Sequence, residues 1–64
     1  MTEIEIRAEL AKRVEDLRIA RKHREEAAAR TSTAASIAAY QGACAWENIC
    51  REREQAARAA VIAL

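Results

Sequence analysis

The chain has no proline, no phenylalanine and one glycine, Gly42, and among its 64 residues Trp46 and Tyr40 are the only aromatics. With so few helix breakers and abundant Ala, Glu, Arg and Leu, long helices are the default. Charge of one sign is missing too: 11 Lys and Arg against 10 Asp and Glu leave a net charge of +1, so no global field draws in a polyanion. One histidine, His23, does not make a four-ligand metal set. Cys44 and Cys50 stand six apart, which turns them roughly 120° from each other on a helix and forbids a bridge within it. No metal or cofactor is expected, and both cysteines read as small, reduced hydrophobes. The first ten residues, MTEIEIRAEL, lack the apolar run of a signal peptide. The longest uncharged stretch, Thr31 to Trp46, is too short and too rich in Ser, Thr and Gln to span a bilayer. A soluble, cytoplasmic protein with no membrane partner is expected. A glycine-rich phosphate loop and a paired-acid site are missing as well, so enzymatic activity is not expected.

Large apolar side chains are also scarce: 52% of residues are hydrophobic, but 17 of them are alanine. A lone core of this kind supplies ~3–5 kcal/mol. With disulfide and metal set aside, oligomerisation or a partner remains as the further support.

What is present is helical periodicity. Thr2 and Glu5 match a capping box, and Met1 and Ile6 stand where a hydrophobic staple would form. Ile6, Leu10, Val14 and Leu17 recur at steps of four and three, which predicts an amphipathic helix near residues 3–30. The segment RTSTAAS marks a turn near residues 31–33, with Ser32 or Thr33 capping a second helix near residues 33–63. On that helix Trp46, Ile49, Cys50, Ala57, Ala60, Val61 and Leu64 share a face. Antiparallel closure sets Leu17 near Trp46, Val14 near Ile49 and Cys50, and Ile6 near Val61, with Trp46 as the largest core plug. The expected fold is all-α: one domain over residues 1–64, a two-helix antiparallel hairpin that dimerises into a four-helix bundle. One continuous helix is the competing expectation, because Ser and Thr lower helix propensity without forbidding it.

The first half of the second helix carries no charge on any side. With Ala35, Ala38, Ala39 and Gly42 directed at the first helix, Ile37, Tyr40 and Cys44 form a stripe on the opposite side. A helix apolar all round is normally covered all round, so Ile37, Tyr40 and Cys44, with Trp46 as a further anchor, are the expected interface to a second copy or another protein.

Arg18, Arg21, Lys22, His23 and Arg24 form a basic knot, shadowed at helical spacing by Glu15, Glu25 and Glu26. Glu15 is placed to pair Arg18, Glu25 to pair Arg21, and Glu26 to pair Lys22 and Arg30, the pattern of a solvated face. Arg21 and Arg24, however, continue the apolar stripe of Ile6 to Leu17. Their stems are expected to lie over Ala35, Ala39 and Gly42, leaving the guanidinium groups for water, a carboxylate or a phosphate.

The function expected from these features is a small non-enzymatic protein-interaction module, a regulator, inhibitor or adaptor working through an apolar helical surface as a homodimer. The second expectation is a nucleic-acid-binding hairpin dimer using Arg18, Arg21, Lys22 and Arg24. The third is a small structural component of a phage or secretion assembly.

Overall fold

A computed structural model describes residues 1–64 as two helices, α1 (Glu3–Ala28) and α2 (Ala34–Ile62), packed side by side in a rod 47 × 14 × 13 Å. The chain is an all-α helical hairpin, and the continuous helix is excluded. No helix is long and apolar enough to cross a membrane.

The turn is set by hydroxyl chemistry. The Thr33 Oγ1 accepts from the Ser36 backbone N–H at 3.1 Å, and the Ser36 Oγ accepts in return from the backbone N–H groups of Thr33 (2.8 Å) and Ser32 (3.0 Å). This reciprocal box starts α2 at Ala34 and assigns the cap to Thr33 rather than Ser32. α1 stops at Ala28, two residues short of the expected end, where the Arg30 N–H turns back to the Ala27 carbonyl. At the other end of α1 only half of the expected box exists. Thr2 accepts from the Glu5 N–H, while the Glu5 carboxylate takes the Thr2 hydroxyl instead of its backbone N–H. Met1 is 85% exposed, so the staple is unmade.

The central covered row of α1 runs Ile6, Leu10, Arg13, Leu17, Ala20, Arg24, Ala27, with Glu9 and Asp16 half-covered beside it. That of α2 runs Ser36, Tyr40, Ala43, Glu47, Cys50, Glu54, Ala57, Val61, with Cys44 and Arg51 half-covered beside it. Both alternate steps of four and three, the seven-residue repeat that makes two helices coil left-handedly about one another. This repeat corrects the expected seam. Val14 and Arg21 drop to the exposed flank, and Arg13 and Ala20 take their turns.

The register differs as well. Leu17 clusters with Ala20 and Cys50, not with Trp46, and Arg24 lies across from Glu47. Trp46 is 47% exposed and plugs nothing. The reason is steric: Ala20, Cys50 and Ala57 are small and nearly fully covered, so the helices approach closely, and an indole between them would hold the axes apart. Only five residues are buried, and Leu17 is the one large apolar side chain among them, worth ~1.5–3 kcal/mol.

Candidate functional site

The one buried charge is Glu47, 5% exposed in the seam of α2. Its Oε2 accepts from Arg24 Nε of α1 at 2.5 Å, and its Oε1 from Arg51 Nη2, one turn further along α2, at 3.1 Å. Arg51 also donates to Asn48 Oδ1 at 2.9 Å. Both carboxylate oxygens are therefore engaged, and no buried side-chain nitrogen or oxygen lacks a partner. The Glu47 hydrogen bond and charge raise the Arg24 pKa above its ordinary value. Tyr40, one heptad before Glu47, borders the same network. Hydrogen bonding with Cys44, then the Cys44 charge, raises the Tyr40 pKa, and Arg24 opposes the shift. Arg24 is thus not left unpaired. Its guanidinium is held by a carboxylate of the same chain.

The seam divides the rod into two unlike faces. On the first, an open groove of about 750 Å³ is lined by Val14, Leu17, Arg18, Arg21, Lys22 and Glu25 of α1 and by Glu54 and Arg58 of α2. Glu15 grips Arg18 through both oxygens, at 2.6 and 3.0 Å, and Glu54 holds Arg58. Arg21 and Lys22 carry no ion pair: the expected partnerships with Glu25 and Glu26 are not made, and Glu25 lies instead 4.0 Å from Arg24. Of the four basic-knot candidates, the structure brings Arg18, Arg21 and Lys22 to one groove, adds Arg58 from α2, and withdraws Arg24.

Because its hydrogen bond to Arg18 holds Glu15 below the usual carboxylate value, that pair persists above the ordinary glutamate range and is lost only as pH falls through the lowered value. An NMR titration of the Glu15 carboxyl is expected to show its midpoint rising in Arg18→Ala. An unmoved midpoint would mean that the pair is not populated in solution.

On the second face, a shallow cleft near the turn is lined by His23, Glu26, Arg30, Ser36 and Ala39. Steps of seven from Ala39 place Trp46, Arg53 and Ala60 on the same side of α2. Ile49 stands one turn along from Trp46 and is 41% exposed. The Arg53 guanidinium lies 5.3 Å from the Trp46 ring centroid, a cation–π contact on the surface.

The expected interface residues therefore separate. Trp46 is on this second face, whereas Tyr40 and Cys44 are half-covered beside Arg24 and do not point away from α1. Ile37 is half-exposed. Sequence reading missed Glu47 and Ile49 as members of these sites; steps of seven from Tyr40 reach Glu47, Glu54 and Val61, and would have found the first. No three His, Cys, Asp or Glu side chains converge on a point that could hold a metal ion. The fold and the two faces define a helical hairpin with a charged seam. No protein-family model, curated protein or solved structure matches the chain.

Proposed function

We propose that this hairpin is a small non-enzymatic protein-interaction module that acts as a homodimer, through the apolar flank of α2, and regulates or adapts another protein by occupying its surface. The observation that carries the reading is the exposure of Trp46 and Ile49 on one flank of α2, with Arg53 over the Trp46 ring, in a chain that buries five residues. Covering such a flank adds the burial that the lone hairpin lacks, and ties stability to concentration. Sedimentation at micromolar concentration is expected to give a dimer whose melting temperature rises with concentration. Trp46→Glu is expected to weaken association about 100-fold or more, by placing a charge in the contact. A wild-type chain that sediments as a monomer and melts independently of concentration would overturn the reading.

The groove lends a second reading a specific observation: Arg21 and Lys22, unpaired, stand beside Arg18 and Arg58. In that reading the dimer binds a nucleic-acid backbone there. Affinity falling steeply between two salt concentrations, with a shallower slope in Arg21→Ala/Lys22→Ala, would favour it. Salt-independent or absent binding would remove it.

A further inference from the structure

The order of residues along the second face goes beyond self-association and, resting on the homodimer proposed above, says how the copies meet. We propose that a second copy of the chain docks on this face antiparallel to the first, about a two-fold axis at the level of Ile19 and Ile49.

A two-fold interface must be complementary to itself when inverted end for end. Two rows of α2 meet that condition. Ala35, Gly42, Ile49, Ala56 and Ala63, seven apart, read small, small, large, small, small about Ile49. In the neighbouring row of Ala39, Trp46, Arg53 and Ala60, inversion sets Arg53 on the partner's Trp46. The one charge of the two rows then meets the ring that already attracts it within its own chain, where the centroid is 5.3 Å away.

α1 supplies an independent pattern. Steps of seven from Glu26 and His23, both on this face, lead back to Ile19 and Lys12, and to Asp16 and Glu9. Each row inverts onto itself near the level of Ile19, the first about Ile19 and the second half a residue further on. Lys12 falls on the partner's Glu26, Asp16 on the partner's His23, and Glu9 on the partner's Arg30, while Glu9 and Asp16 also hold Arg13 of their own chain at 2.7 and 3.5 Å. Every charged pairing is of opposite sign or gives a carboxylate an imidazole donor. A parallel arrangement would set each of these charges on its own twin, so the order selects one orientation as well as one partner.

The two centres also coincide. Leu17, Ala20 and Cys50 form one cluster and Arg24 bonds Glu47, so Ile19 and Ile49 lie at one height on the rod. Each is 41% exposed, and one axis serves both helices. Gly42 fits the same picture. A glycine inside a helix costs about 1 kcal/mol relative to alanine, yet a Cβ there would meet nothing of this chain within 4 Å. A rod face of these dimensions offers on the order of 600 Å² per copy, near the ~1,200 Å² total of the smaller stable interfaces.

Cysteine crosslinking tests the geometry, in a Cys44→Ala background where Cys50, 1% exposed, is shielded. Under mild oxidation Ile49→Cys chains are expected to form a disulfide dimer by themselves. Gly42→Cys and Ala56→Cys chains are expected to crosslink when mixed and not when alone. Self-crosslinking of Gly42→Cys would establish a parallel pair and overturn the proposal. In the otherwise native chain, a sedimenting dimer that crosslinks through Cys44, with Ile49→Cys inert, would place the contact on the other face; that also overturns this geometry while leaving the homodimer standing. A chain that stays monomeric in sedimentation sinks both.

Discussion

Glu47→Ala is expected to cost about 2–3 kcal/mol, enough to unfold a large part of the population at room temperature. Breaking a buried pair from one side costs ~3–5 kcal/mol, because the other charge is left without a partner. The lower figure applies because Arg24 keeps a third of its side-chain surface in water, and solvent screens part of the loss. Glu47→Gln keeps the shape and one acceptor, and is expected to cost about half as much. Arg24→Leu with Glu47→Leu is expected to recover most of the stability, since two apolar side chains of similar volume bury no charge. Urea denaturation at fixed protein concentration measures all three. A Glu47→Ala midpoint equal to wild type would show that the seam carboxylate contributes nothing. The same bond has a positional consequence: a one-heptad slip would carry Arg24 away from Glu47.

Leu17→Ala is expected to destabilise the hairpin by about 2–4 kcal/mol, through lost transfer energy and the cavity left between Ala20 and Cys50. Against a lone core of ~3–5 kcal/mol that leaves little folded chain at low concentration. Val14→Ala, one turn away on α1 but 45% exposed, is expected to cost under about 1 kcal/mol. Circular dichroism during urea titration distinguishes them. Equal losses would mean that Leu17 is not the centre of the core. If the chain is a dimer, raising its concentration restores helix in Leu17→Ala by mass action.

Arg24 was legible as a seam residue, because it extends the spacing of Ile6, Leu10 and Leu17. Its partner was not, since Glu47 opens the run ENICREREQ, whose alternating charges read as a solvated face. Trp46 misled for the opposite reason. Size made it the natural plug, but small neighbours across a close helix pair have no room for it.

The sequence by itself determined that helix dominates and that a break is favoured near residues 31–33: proline is absent, alanine abundant, and the hydroxyls of the RTSTAAS segment compete for backbone hydrogen bonds. The structure fixed the break by placing the cap at Thr33 with Ser36 as its partner. Tertiary structure alone decided which side of each helix is inside. At 3.6 residues per turn the stripes of Ile6, Leu10, Val14 and of Trp46, Ile49, Cys50 are each plausible faces. Coiling two helices together selects a repeat of 3.5, and that small difference turns Val14, Trp46 and Ile49 out while turning Arg13 and Glu47 in. The register then followed from a contact between residues 23 positions apart, Arg24 and Glu47, which local spacing within either helix does not encode.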